Sequence, residues 1–434
     1  MAHPKIFCNV PWTNTHIYWD GSFGVCCSEN HKPYSEDQEF NLKNITVQEW
    51  CNSDPMKQIR SQILGDIPLT NCQHCYKQEQ SGHESRRIKE NFKSVIFTEK
   101  AFTKSYEQSH WYERFESAKD FQDQEYPIDW HVDLGNECNL SCKMCNPNAS
   151  SQIASKFKKW NIAFQERPNW TNSEFAWQNF IKSIDSARLK RLHFMGGEPM
   201  LSKRLKNIID YLISKKRTNT SISFVTNGTI LDLELVEKLF KFKSFDIEIS
   251  LESIYKNNDY IRQGSDVDKI LNNILVLKKL QNDKFHVVLR TVPQLLSINN
   301  YDKLILWAWE NKLSIQSIIL NNPAILAVNV LPKELRQSFV QNYEQAKSLI
   351  LENKSEINTI TTGRDTSRLD IQLARECDSM INLLQAEQPK NIKMLKKDLS
   401  SWLTRWDKEF NLNAYEFYPE YKEFLDNIGY AVSN

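Results

Sequence analysis

Between residues 128 and 322, short apolar runs alternate with longer segments whose apolar residues recur at helical spacing. Six of the short runs read as strands: residues 130–134, 191–194, 221–225, 245–251, 286–292 and 314–320. Strands separated by amphipathic helices predict repeated βα units and a parallel sheet, an α/β core over residues 127–330. Ahead of that core the period shortens. His16-Ile17-Tyr18-Trp19 and the run from Phe23 to Cys26 flank Asp20-Gly21, a hairpin turn signal. A helix is expected from Glu49-Trp50-Cys51 through Met56 to Arg60, and the chain from Pro332 onward reads as helices. Between the first two core strands, residues 150–190 carry Trp160, Trp170, Phe175 and Trp177, which read as core or as a cover over the strand ends. Four segments follow: 1–95 as a cysteine-bearing unit, 96–126 as a connector, 127–330 as the α/β core and 331–434 as a helical C-terminal region.

Composition narrows the class. With 434 residues, 40% apolar and 25% charged, the chain matches soluble globular proteins, which excludes collagen, coiled coil and wholesale disorder. A net charge of +1 gives no electrostatic reason to expect nucleic acid or an anionic membrane as a partner. No apolar run is long enough to span a bilayer, and residues 1–12 lack a basic stretch followed by an apolar one, so a cytoplasmic protein is expected. The ten cysteines would then be kept reduced, and clustered ones point to metal rather than disulfides.

Three of them, Cys138, Cys142 and Cys145, form C-x3-C-x2-C directly after a strand. A tight loop of this kind can place three thiolates on three irons of a cubane and leave the fourth iron open to a ligand. The alternative is zinc, which wants four ligands, and no fourth thiolate or histidine lies near in sequence.

This loop resembles that of the radical S-adenosylmethionine (SAM) enzymes, and further matches follow in the family's order. Met195-Gly196-Gly197-Glu198-Pro199 resembles the GGEP motif that holds the methionine amino group, and Thr226-Asn227-Gly228 closes the next strand. Ser250-Leu251-Glu252-Ser253 stands where relatives carry Ser-x-Asp-Gly near the ribose and carboxylate, and Tyr260-Ile261-Arg262 resembles a segment of peptide-modifying members. Two departures are Met144 in place of an aromatic residue and Glu252-Ser253 in place of Asp-Gly. The resemblance implies a partial (β/α)6 barrel and a first [4Fe-4S] cluster on Cys138, Cys142 and Cys145. It also implies SAM bound by Gly196, Gly197, Glu198, Asn227, Ser250, Glu252 and Arg262.

A second set precedes the core. Cys8, Gly21 and Cys26 match the opening C-x9-15-G-x4-C of SPASM and twitch auxiliary-cluster domains, and Cys72-x2-Cys75 follows. The spacing resembles the single-cluster twitch domain of the 2-deoxy-scyllo-inosamine dehydrogenases, here placed before the core rather than after it. The resemblance implies a second [4Fe-4S] cluster on Cys8, Cys26, Cys72 and Cys75, with Cys26 rather than Cys27 selected by the spacing; four thiolates also suit a zinc ribbon-like site. Cys51 and Cys377 read as ordinary buried thiols. His16, His74 and His131 read as structural, and Glu248 and Arg290 either orient substrate or form a buried ion pair.

The activity implied is reductive cleavage of SAM to a 5′-deoxyadenosyl radical that abstracts a substrate hydrogen, with the auxiliary cluster accepting an electron and a flavodoxin or ferredoxin as donor. The leading expectation is oxidative modification of a ribosomally made peptide; the alternatives are dehydrogenation or epimerisation of a small cyclitol or aminosugar, and, from a different class, a non-enzymatic iron-sulfur or zinc module.

Overall fold

The computed structural model describes residues 6–26, 40–80, 85–88, 90–91, 127–187, 189–320, 322–353 and 369–431. The expected connector 96–126, the end of the 1–95 segment and Cys27 lie outside the described residues. The strands are β1 (Asn14–Ile17), β2 (Phe23–Gly24), β3 (Asp129–Asp133), β4 (Ser141–Cys142), β5 (Arg191–Met195), β6 (Ser221–Thr226), β7 (Ser244–Ser250), β8 (Arg262–Gln263), β9 (Phe285–Thr291) and β10 (Ser314–Ser317). All six expected core strands are present. Two compact units share the chain: Met1–Glu137, Ala163–Ser223 and Lys241–Lys243 form the first, and Cys138–Ile162, Phe224–Phe240 and Ser244–Asn434 the second.

In the first unit the strand order is β2-β1-β3-β5, with the start of β6 next. The hairpin forms as its Asp-Gly turn predicts, β1 running antiparallel to β2. Its other edge was not legible: β1 also pairs in parallel with β3, matching Asn14 to Asp129 and Ile17 to Val132. An isolated two-stranded hairpin is marginal and exposes two edges. Joining β3 satisfies one edge and buries all four residues of β1.

Successive side chains of these strands alternate between two faces. Trp130, Val132, Leu192 and Phe194 form an apolar face, and helix Glu174–Ser186 brings Phe180 to within 6.0 Å of the Trp130 ring. Trp170, 5.1 Å from Phe180, belongs to this core, whereas Phe175 is exposed. The opposite face is polar yet buried. His16, His131 and His193 lie in register across β1, β3 and β5, with ring centroids 6.3 and 4.7 Å apart. Asp133 sits 3.1 Å from His16 Nε2, Arg86 Nη2 lies 3.1 Å from His131 Nε2, and Ser223 Oγ lies 2.7 Å from His193 Nδ1.

The single helix expected through Arg60 is two, Val47–Cys51 and Asp54–Leu64. Pro55 explains the break: it lacks an N–H and is accepted in the first turn of a helix but not in its interior. Thr46 starts the first helix with a reciprocal capping box to Glu49.

In the second unit the end of β6 is followed by β7, β9 and β10, with β7 parallel to β9 and β9 to β10. Its strands repeat the alternation: Phe245, Ile247 and Ile249 are apolar, and between them Asp246 lies 3.2 Å from His286 and Glu248 3.2 Å from Arg290. Glu248 and Arg290 therefore take the ion-pair alternative, with Arg290 also donating to Gln316 at 2.7 Å. β4 and β8 form a separate antiparallel pair. Helices Lys333–Glu352, Leu369–Gln385 and Ile392–Phe410 make the C-terminal part helical, as expected. No described helix is long and apolar enough to cross a membrane.

Burial, followed by the charges of Arg86, His193 and Arg191, holds His131 well below the usual histidine range. A histidine that resists protonation only when folded stabilises the fold above the unfolded value near 6.5, and that stability drains away as pH falls. The slope is about 1.4 kcal/mol per pH unit. Urea titrations between pH 7 and 5 should therefore give a shallower fall for His131→Gln than for wild type.

Candidate active site with two cysteine constellations

The C-x3-C-x2-C loop belongs to the second unit and is fixed by its own backbone before any metal enters. β4 carries Cys142 opposite Arg262 of β8, and Lys143 N–H donates to Ile261 O at 2.9 Å. A turn closes from Cys145 N–H to Cys142 O at 3.0 Å. Ser150 caps helix Ser151–Lys159 and its hydroxyl donates to Leu140 O at 3.1 Å, while Ser151 Oγ accepts the Cys138 N–H at 3.2 Å. Asn139 ties the loop to the Thr-Asn-Gly turn: its Nδ2 donates to Thr229 Oγ1 at 2.9 Å and its Oδ1 accepts from Asn227 Nδ2 at 2.8 Å.

The three thiols are an electrostatic unit. Burial pushes Cys142 up to about 11, with Cys138 adding and Arg262 opposing. Burial likewise pushes Cys145 up to about 12, and Cys142 and Cys138 add to the rise. Thiols that disfavour one another's ionisation become a stable thiolate set only against a cation, which is the chemistry of a metal or cluster site. Arg262 supplies part of that charge: Nη1 lies 3.8 Å from Cys142 Sγ and Nη2 2.6 Å from Glu252 Oε1. Burial works against the guanidinium charge, but Glu252 and Cys142 outweigh it, and Arg262 stays firmly protonated. Glu252, fully buried, also accepts Val292 N–H at 2.8 Å through Oε2, so both of its oxygens are engaged within the protein. Ser250 ends β7, buried, in register with Arg290.

Gly196 and Gly197 explain themselves in the first unit. Gly196 has φ of +114°, and a Cβ on it would stand 2.4 Å from Gly135 O. A Cβ on Gly197 would stand 2.1 Å from Glu137 O. The close approach is needed because Gly197 N–H donates to Gly135 O at 3.0 Å and Glu198 N–H to Glu137 O at 2.7 Å. The motif thus grips residues 135–137, the segment that leads into Cys138. The Glu198 carboxylate is buried and accepts Met200 N–H at 3.0 Å.

The second constellation lies in the first unit. Cys8 precedes helix Val10–Thr13, Cys72 ends the 3-10 turn Thr70–Cys72, and Cys75 is buried in helix Gln73–Gln80. Burial raises the Cys8 thiol far above its ordinary value, with Cys72 and Cys75 adding, so these three are within electrostatic reach of one another. Cys26 ends the hairpin, where its carbonyl accepts from Tyr18 Oη at 3.4 Å. Arg87 braces the region, donating to Phe7 O at 2.8 Å and to Glu79 at 3.0 Å. Among the described residues, no three His, Cys, Asp or Glu side chains converge on one point as the ligands of a single ion do. A cubane, whose cysteines each bind a different iron, does not require that convergence. Cys51 and Cys377 are buried, each held up at about 12 by that burial.

Residues 132–294 match the radical SAM superfamily, and residues 8–76 match an iron-sulfur cluster-binding domain, SPASM. The chain carries a radical SAM core with a SPASM domain ahead of it. The radical SAM domain implies SAM and a [4Fe-4S] cluster, and the SPASM domain an auxiliary iron-sulfur site. Among curated relatives, the radical SAM cyclopropyl synthase TigE of Paramaledivibacter caminithermalis is 27% identical over 177 residues, 39% of this chain and 35% of that protein. A GTP 3′,8-cyclase of Clostridium botulinum (strain Hall) is 28% identical over 144 residues, 33% of this chain and 41% of that one. The chain thus spans well under half the length of these relatives. Of solved structures, Streptococcus suis SuiB bound to precursor peptide SuiA aligns with a TM-score of 0.38 and 14% identity, covering 68% of this chain and 63% of that one. Native anSMEcpe with bound AdoMet aligns at 0.38 and 16%, covering 69% and 99%.

Within the radical SAM core, Asn139, Thr229, Ser151 and Lys143 went unmarked in the sequence although each holds the cysteine loop. Only the cap, a serine pair directly before an apolar periodic run, left a readable signal. Lys143, fully buried between two of the cysteines, donates to Tyr260 O at 2.7 Å; burial drags its ammonium down to about 7 while Asp407 opposes the shift.

Gly197→Ala should push the 135–137 segment aside and cost about 1 to 3 kcal/mol of stability, the usual range for overpacking a close contact. Denaturant titration of the variant measures the loss. A stability unchanged from wild type would mean that the contact with Glu137 O is not tight.

Proposed function

We propose that this protein is a radical SAM enzyme that oxidatively modifies a ribosomally made peptide, with a [4Fe-4S] cluster held by Cys138, Cys142 and Cys145 and an auxiliary one held by Cys8, Cys26, Cys72 and Cys75. The observation that carries the reading is the C-x3-C-x2-C loop held on the β4–β8 pair, with Arg262 3.8 Å from Cys142 Sγ and paired to Glu252. When bound, the first cluster and SAM supply a 5′-deoxyadenosyl radical that removes a substrate hydrogen atom, and the auxiliary cluster supplies an acceptor for the electron left behind.

The chain's own residues bind and orient. Gly196 and Gly197 offer a backbone free of side chains, and Glu198 a carboxylate, for the methionine amino group. Arg262 places a fixed positive charge next to Cys142, which favours the thiolate and suits the carboxylate of SAM. Glu252 departs from the Asp of relatives; its oxygens brace Arg262 and the Val292 N–H, and each keeps a lone pair with which to accept from the ribose. Asn227, tied to Asn139, sets the height of the cysteine loop above the end of β6. Tyr260-Ile261-Arg262 and the SPASM domain favour a peptide substrate. The single-cluster spacing of Cys8 through Cys75 favours the second reading, dehydrogenation of a cyclitol or aminosugar. A flavodoxin or ferredoxin is the expected electron donor.

Anaerobic reconstitution with iron and sulfide, dithionite reduction and quantification of 5′-deoxyadenosine tests the first half. Wild type should form it, and the Cys138→Ala/Cys142→Ala/Cys145→Ala protein should not. Absence of 5′-deoxyadenosine from wild type with both clusters loaded would leave a non-enzymatic iron-sulfur module.

The second half needs a substrate, and the candidate is a short peptide encoded beside the gene. Alanines at Cys8, Cys26, Cys72 and Cys75 should leave 5′-deoxyadenosine formation in place while the oxidised peptide, read by mass spectrometry, disappears. Undiminished oxidised product from that variant would remove the auxiliary cluster from the reaction.

A further inference from the structure

Lys143 and Asp407 lie 264 positions apart in sequence and meet in the second unit with side chains 0% and 1% exposed. Lysine and aspartate are almost never so deeply buried unless they are paired. Asp407 lies on helix Ile392–Phe410 of the C-terminal region, and its Oδ2 accepts from Tyr260 Oη at 3.0 Å, from Ala414 N–H at 3.0 Å and from Tyr430 Oη. Its Oδ1 has no hydrogen-bond partner among the described residues and faces Lys143 Nζ at 3.9 Å. The same ammonium stands 3.6 Å from the Tyr260 ring centroid and 5.2 Å from that of Trp406.

The two residues held by Asp407 flank the β4–β8 pair. Lys143 directly follows Cys142, and Tyr260 stands two positions before Arg262, whose guanidinium reaches the Cys142 sulfur. Each of these strands is two residues long, too short to hold its register unaided. The carboxylate therefore grips one residue on either side of the point where a cysteine and its arginine meet. We propose that Asp407 is a positioning residue for the radical SAM cluster, acting through Lys143 and Tyr260 on the loop that carries Cys142 and Cys145.

The proposal rests on the reading of Cys138, Cys142 and Cys145 as iron ligands. A second contact on the same helix provides its control. Glu409 pairs with Lys156 at 2.7 Å and Lys159 at 2.7 Å on the helix after the loop; its side chain is 9% exposed, but both lysines reach solvent, at 21% and 65%. A cation that reaches solvent can be rehydrated when its partner is removed, whereas removing one partner of a fully buried pair strands the other charge.

The full chain, reconstituted anaerobically and reduced with dithionite, is compared with Asp407→Asn, Glu409→Ala and the double variant Lys143→Met/Asp407→Leu. The readouts are the change in the reduced-cluster EPR spectrum on adding SAM, iron loss to a chelator, and melting temperature. Asp407→Asn should weaken the SAM-dependent spectral change and speed iron loss about tenfold, equivalent to about 1.4 kcal/mol. Glu409→Ala should match wild type, and the double variant should regain melting temperature without regaining the spectral change. The proposal is overturned by a wild-type spectral change in Asp407→Asn, by equal damage from Glu409→Ala, or by a double variant that recovers both properties. If Asp407→Asn does not fold, the double variant decides alone. A wild type that shows neither cluster signal nor 5′-deoxyadenosine overturns the reading of the three cysteines, and this proposal with it.

Discussion

Three thiols crowded inside a protein resist ionisation, because burial and one another's charge both disfavour the thiolate, and the second unit is organised around that crowding. Cys142 is buried while Cys138 and Cys145 are only partly so, and the Arg262 guanidinium stands 3.8 Å from its sulfur. Arg262 is itself buried and needs Glu252 at 2.6 Å; Glu252 in turn needs the Val292 N–H. Each member would be costly alone and is admissible because the next one answers it. The β4–β8 pairing keeps that chain of partners in register, which is why so much of the unit converges on two strands of two residues each.

The first unit solves a different problem, that of bringing backbones close. Gly196 and Gly197 let one turn lie against residues 135–137 at distances no side chain would allow. The contact is entirely backbone to backbone, so what the motif demands of its residues is the absence of a Cβ. The result is a fixed path for residues 135–137, held by these backbone contacts and by Asn169, whose side chain accepts the Asn136 N–H.

Both units also contain strands whose second face is polar and buried. Parallel strands usually read as continuous apolar runs because both faces are covered by hydrocarbon. Here Asp129, His131, Asp133, Arg191 and His193 alternate with Trp130, Val132, Leu192 and Phe194, and the polar set is matched internally by ion pairs and imidazole contacts. The SPASM domain takes part directly, since β1 adds His16 to that row. The auxiliary-cluster domain and the first strand of the radical SAM core thus share one sheet.

Periodicity and turn signals by themselves determined the six core strands, the helical C-terminal region and the hairpin at Asp20-Gly21, because each is written in residues close together along the chain. The helix break at Pro55 is local too, marked by proline's missing N–H. Tertiary structure alone decided that β1 borders β3, that Glu252 turns to Arg262, and that a lysine between two cysteines meets an aspartate on a helix of the C-terminal region. Those pairings join residues 10 to 264 positions apart. Their energy comes from charges and edges that find partners only once the chain has closed, and no local pattern carries that information.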